Sequence, residues 1–207
     1  MTPTTRFLDL VHPAAGTALV SEWRTGTDER SRAAADAMAE EWAAAEAPSA
    51  RLAQHLFRSV DGAGLLFYAQ WTSDEEHLAW ARAHRAAVVS RVDTLVPGIE
   101  RPGLNRTRLQ RSVVHDAESP CGVFVVTKAT GDIEGLLAPA PGLLAAHVHL
   151  TADGERAIVF AEWTDTAAQE AAYGAAYEEG VASVDELDFK RYVLHHASLD
   201  RHPHWPS

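Results

Sequence analysis

The chain has 207 residues, 46% hydrophobic and 23% charged, the balance of a globular protein. Its formal net charge of −11 repels nucleic acid, and no basic stripe offsets it. One cysteine, Cys121, excludes an internal disulfide framework. No apolar run approaches the ~20 residues of a membrane span, and the stretch Met1 to Asp9 lacks a signal-peptide pattern. A soluble cytoplasmic protein is expected.

In chain order, residues 1–16 read as an arm broken by Pro13 and Gly16. Thr17–Arg24 reads as a strand. Asp28–Ala47 reads as a helix, because Ala34, Ala37, Met38, Trp42 and Ala45 recur at helical spacing. Thr27 is its expected N-cap and Pro48 its stop. Arg51–Val60 and Leu65–Thr72 read as strands joined at Asp61 and Gly62, the pair that favours a type I′ hairpin turn. Ser73 to Glu76 is a capping box and predicts a helix to about Val92. Val96–Leu104, with two Pro-Gly pairs, reads as a loop, and Arg106–His115 as a fourth strand. Asp116–Pro120 is the expected linker.

After the linker the pattern restarts. Val123–Ala129 reads as a strand, followed by a short helix over Asp132–Leu137 before Pro139 and Pro141. Leu143–Thr151 and Ala157–Thr164 form a second hairpin turned at Asp153 and Gly154. Thr166 and Gln169 form a capping-box pattern opening a helix to about Glu179, and Phe189–Ser198 is the last strand. Residues 199–207 form a tail.

The restart is an internal repeat. Residues 54–95 lie over 146–187 at a constant offset of 92, with 12 of 42 positions identical. Among them are His55/His147, Asp61/Asp153, Gly62/Gly154 and Trp71/Trp163. A repeat of this length is a duplicated domain. The first copy is placed at residues 17–116 and the second at 121–198, with its first helix shortened. Each half reads β-α-β-β-α-β, the ferredoxin-like motif, an antiparallel sheet with helices on one face. The fold class is therefore α+β. The uncovered faces of two fused copies can cover each other, giving an intramolecular counterpart of a dimeric α+β barrel. That internal pseudo-dimer removes the need for a second chain, and a further homodimer stays open.

The segment Leu65 to His77, following an Asp-Gly hairpin and opening a helix, resembles the antibiotic biosynthesis monooxygenase family. Ala157 to Asp165 carries the same signature. The resemblance spans nearly the whole chain and implies a tandem-domain member. It implies cofactor-independent oxidation of a polyketide or phenolic aromatic molecule by O2. In such chemistry a base removes a phenolic proton and the electron-rich anion reduces O2. The family also includes haem-degrading enzymes. Oxygenase members use a Trp at the position of Trp71 and Trp163, and frequently an Asn four residues earlier. Those positions here are Phe67 and Val159. The helix His of the haem-degrading members falls on Ala81 and Tyr173, which disfavours haem degradation.

The expected catalytic residues are His55 or His147 as base and Trp71 or Trp163 as indole N–H donor. Expected substrate-binding residues are Trp23, Trp42, Phe67, Tyr68, Gln70 and Arg111, an aromatic lining with one cation that suits a planar anionic ligand. Strand alternation puts Phe67, Ala69 and Trp71 on one face of their strand and Tyr68 and Gln70 on the other. In a closed barrel, His147 and His149 approach His115, while His55 approaches His195 or His196. No metal and no cofactor is expected, although His147 and His149 share a strand face in a geometry that metals use. The first half, with its longer helix and most of the aromatics, is the better candidate for an intact pocket. The competing reading is a non-catalytic small-molecule-binding or scaffold barrel; metal binding ranks third.

Overall fold

A computed structural model describes residues 10–45, 47–131, 133–178 and 188–199. Among the described residues, eight strands and four helices follow the β-α-β-β-α-β order twice. The chain divides into two compact units, one of His12–Arg106 with the stretch from His195, the other containing Thr107–Leu194. The expected arm and tail lie largely outside the described residues.

In the first unit, β1 (Thr17–Arg24) and β2 (Arg51–Ser59) flank β3 (Gly64–Trp71), both antiparallel to it. Trp23 pairs with Leu65, Gln54 with Ala69 and His55 with Tyr68. Helix α1 (Asp28–Ala44) is capped by Thr27, whose side chain accepts from the Arg30 N–H, and it ends three residues earlier than expected. Its buried face is small: Ser31, Ala34, Ala35, Ala37 and Met38. Alanines there let the helix backbone approach the sheet closely.

Helix α2 (Asp74–Leu95) is capped by Ser73, which accepts from Glu76 N–H. It buries only His77 near its start and Val92 near its end. These anchors are 15 residues apart, roughly 22 Å along a helix. Between them Val88 and Val89 are only partly buried against the core, and this stretch lines the cavity described below.

The hairpin turns differ from the expected type I′. Among the described residues no non-glycine has positive φ, so Asp61 and Asp153 do not adopt the left-handed conformation that turn requires. In each turn it is the glycine that does, Gly62 and Gly154 both at φ +75. Gly62 N–H bonds Ser59 O, and Gly154 N–H bonds Thr151 O. The aspartates instead accept from the backbone two residues on, at Ala63 and Glu155, and from the Ser59 and Thr151 hydroxyls. This side-chain bonding favours a right-handed turn closed by a left-handed glycine.

The expected loop over Val96–Leu104 is shorter than its composition suggests. Strand β4 spans Glu100–Val114 and runs through Pro102 and Gly103. Only the Pro97–Gly98 pair turns the chain, with Gly98 at φ +78. Pro102 forfeits one strand donor, which a strand tolerates at an edge or irregularity.

In the second unit, β5 (Val123–Ala129) lies between β7 (Ala157–Trp163) and β8 (Asp188–Leu199), and β6 (Leu143–Thr151) lies on the other side of β7. The order β8-β5-β7-β6 is the ferredoxin-like one. The Thr107–Val114 part of β4 pairs with β6, placing Ser112 opposite His147 and Leu109 opposite His149. Helix α3 (Glu134–Leu137) is a single turn. Helix α4 (Thr166–Glu178) is capped by Asp165, whose Oδ1 accepts from Ala168 N–H at 2.8 Å. The cap is thus one residue earlier than the expected Thr166, because Asp is at least as good a cap. Gln169 is released from capping, and its amide oxygen accepts from Arg191 Nε at 2.6 Å.

Candidate functional site

A cavity of about 230 Å³ lies in the first unit between the sheet and its two helices. Strand alternation builds its floor: Leu19, Ser21 and Trp23 from β1, Gln54 from β2, and Phe67, Ala69 and Trp71 from β3. Helix α1 contributes Met38 and Trp42, and α2 contributes His77, Trp80, Arg85, Val88 and Val89. Arg101 and Gly103 close one side from β4.

The rings line the wall in two groups. Phe67 stands 4.5 Å from Trp23 and 6.0 Å from Trp42 between ring centroids, and Trp71 stands 5.7 Å from Trp80. Arg101 lies over Trp23 at 4.1 Å from the ring centroid, and Asp93 holds it in place, accepting from Nη2 at 2.7 Å. A cation stacked on an indole and fixed by a carboxylate is a preorganised positive edge to the cavity.

His77 meets the edge of Trp71 at 5.2 Å. Arg106 Nη2 lies 3.1 Å from His77 Nδ1, and Arg106 Nη1 donates to Asp74 at 3.1 Å. A guanidinium only donates, so Nδ1 accepts and the imidazole proton sits on Nε2. Burial, then the charge of Arg106, lowers the His77 pKa to about 4; Asp74 opposes this and Arg85 adds to it. His77 is therefore a neutral donor rather than a base at neutral pH.

Of the residues singled out from the sequence, Trp23, Trp42, Phe67 and Trp71 are brought together here. His55, Tyr68 and Gln70 are on the opposite face of the same sheet. There Gln70 Nε2 donates to Tyr68 Oη at 3.1 Å, and the His55 ring lies 6.0 Å from Tyr68. Burial, reinforced by His196, lowers the His55 pKa to about 3.

Arg111, His147 and Trp163 belong to the second unit. Arg111 donates to both carboxylate oxygens of Glu134, at 2.8 and 2.9 Å. His147 sits between the Ser112 hydroxyl, 2.8 Å from Nδ1, and Glu162, 3.2 Å from Nε2. Trp163 is buried in an apolar cluster with Val123, Val125, Leu143 and Ala161. Cys121 is pushed up to about 12 by burial and by the Glu162 charge, so its thiol is inert.

The second copy fills the space that the first leaves open. Leu137 of α3 packs against Ala146, Val148, Ala157 and Val159. Val159 and Ala146 are the repeat partners of Phe67 and Gln54.

Gln54, His77, Arg85 and Arg101 join the cavity lining without having been singled out from the sequence. Gln54 was within reach: strand pairing sets it directly across from Ala69, on the Trp71 face. His77 and Arg85 flank Trp80 on a helical stripe of α2. Arg101 sat in the segment read as a loop.

Fold and cavity together define an α+β protein with ferredoxin-like topology and an aromatic-lined pocket. No protein-family model and no curated protein matches the sequence. Among solved structures, the chain is similar to an anthrone oxidase-like protein at 18% identity and a TM-score of 0.63, covering 88% of this chain and 92% of that one. It is also similar to a provisionally assigned monooxygenase from Fusobacterium nucleatum, at 10% identity and a TM-score of 0.55, covering 91% and 96%. A third, from Lactobacillus acidophilus and similarly assigned, has 14% identity and a TM-score of 0.52, covering 88% and 96%. At these identities the likeness shows a shared fold.

Proposed function

We propose that the chain is a tandem monooxygenase-like protein whose two ferredoxin-like halves pair as an intramolecular α+β barrel, and whose first-half cavity binds a planar aromatic small molecule. The observation that carries this is the cavity itself. Five aromatic side chains, Trp23, Trp42, Phe67, Trp71 and Trp80, wall a space of about 230 Å³ edged by Arg101. Flat ring walls sandwich flat ligands, and a fixed cation favours an electron-rich or anionic one.

The reaction proposed is cofactor-independent oxidation. An anthrone loses two hydrogens from its methylene carbon and gains one oxygen atom from O2; the second oxygen atom leaves as water. The substrate supplies all the electrons. The protein would lower the cost of the anion through the Arg101 charge and the His77 Nε2–H, and would exclude bulk water. Trp71 would stack on the ligand and offer its indole N–H. His55, on the far face of the sheet, and His147, in the second unit, are assigned to packing and hydrogen bonding rather than to proton removal.

One observation favours the second reading, non-catalytic binding. Among the described residues His77 is the only imidazole lining the cavity, and its Nδ1 is occupied by Arg106. Proton loss would then fall to the ligand's own acidity. Oxygen-electrode assays with anthrone separate the readings. Uptake of one O2 per anthrone that drops at least tenfold in Arg101→Leu supports catalysis. Uptake equal to the protein-free rate, with anthrone nonetheless bound, supports binding alone.

A further inference from the structure

We propose that Gln54 is the specificity-determining residue of the cavity, and that it selects aromatic ligands bearing a carbonyl or hydroxyl oxygen. The proposal rests on the aromatic-binding reading above and adds a neutral amide to the Arg101 and His77 groups named there.

Gln54 is 5% exposed and lines the cavity floor. Its amide nitrogen is buried and has no hydrogen-bond partner. Buried amides in folded proteins are almost always satisfied, so an unsatisfied one beside a cavity calls for a partner that enters it. The strand register places this amide well for the task. Gln54 faces Ala69, whose short side chain lies between Phe67 and Trp71, two positions to either side. A ring lying against those two side chains would bring its substituents over the amide.

The repeat supplies an independent comparison. At the matching place the second copy has Ala146, fully buried against Leu137, Val148 and Val159. Where the helix fills the space, the residue is apolar; where the space is open, it is an amide. Packing alone does not require glutamine there, because the same sheet position works with a methyl group. The amide can donate to a carbonyl or phenolate oxygen and, turned over, accept from a phenol O–H. A hydrocarbon of the same shape satisfies neither group.

The test is calorimetric titration with 1-naphthol and 1-methylnaphthalene, which differ by O–H against CH3. Wild-type protein is expected to bind 1-naphthol about tenfold tighter, the effect of one good hydrogen bond. In Gln54→Leu the ratio should fall by roughly threefold or more, with 1-methylnaphthalene bound at least as tightly as before and Arg101 and His77 supplying what preference is left. Because that variant removes an unsatisfied amide, its urea midpoint should not fall. A measurement on unaltered protein guards against a folding defect: the Gln54 side-chain amide resonances should shift with 1-naphthol and stay fixed with 1-methylnaphthalene. If the naphthol preference is undiminished in Gln54→Leu, or those resonances ignore 1-naphthol while it binds, the role of Gln54 is overturned and the aromatic pocket stands. If wild-type protein binds neither probe, the pocket reading falls and this proposal with it.

Discussion

Acid should unfold this protein well above the pH at which its carboxylates titrate. His55 and His149 are buried, and burial lowers each pKa from 6.5 to about 3. His77 is lowered to about 4 by burial and by Arg106. All three native values lie below the unfolded one, so between them the unfolded chain binds more protons than the native chain. Stability from this source is complete above pH 6.5 and is lost as the pH falls toward the native values. At pH 5 the loss per histidine is about 2 kcal/mol, or about 6 kcal/mol for the three. That is comparable to the ~5–15 kcal/mol of a typical domain. The carboxylates held low by their partners, such as Asp28 by Arg32, titrate lower still and add little at pH 5. The assay is urea unfolding followed by far-UV circular dichroism at pH 8, 7, 6 and 5. His149→Leu should remove about a third of the pH-dependent loss, whatever it does to stability at pH 8. Equal stability at pH 8 and 5, or an unchanged pH slope in His149→Leu, would refute the buried-neutral account.

Two paired substitutions test the local structure. Gly62→Ala and Gly154→Ala both put a side chain at φ +75, costing about 1 kcal/mol each. The Cβ at residue 62 would also lie 2.7 Å from Asp28 Cβ, while that at 154 meets open space, so Gly62→Ala should be the more destabilising in urea. Asp165→Ala should cost about 1 kcal/mol as a lost helix cap. Thr166→Ala should change the unfolding midpoint by less than about 0.5 kcal/mol, and the opposite ranking would restore the capping box expected there.

Most of the fold was legible because its signals are local. The strands at Thr17–Arg24, Val123–Ala129 and Leu143–Thr151 have the bounds their composition suggests, and Thr27 and Ser73 cap as their neighbours dictate. Errors arose where two local signals compete. Asp-Gly suits a type I′ turn, but the aspartate side chain bonds its own backbone and selects another. Pro102 and Gly103 look like a loop, yet the strand continues through them. The cavity's aromatic wall was legible from parity and repeat asymmetry. Its polar groups were not, because Gln54, His77 and Arg101 acquire meaning only from what faces them: Ala69, Arg106 and the Trp23–Asp93 pair.

The central claim is that the first-half cavity is the ligand site. Filling it tests that directly. Ala69 sits on the cavity floor with space above it, so Ala69→Phe should occupy the cavity and leave the sheet intact. Calorimetry with 1-naphthol should give one site per wild-type chain and no detectable binding to Ala69→Phe, with the circular dichroism spectrum unchanged. Undiminished binding to a folded Ala69→Phe variant would contradict the account.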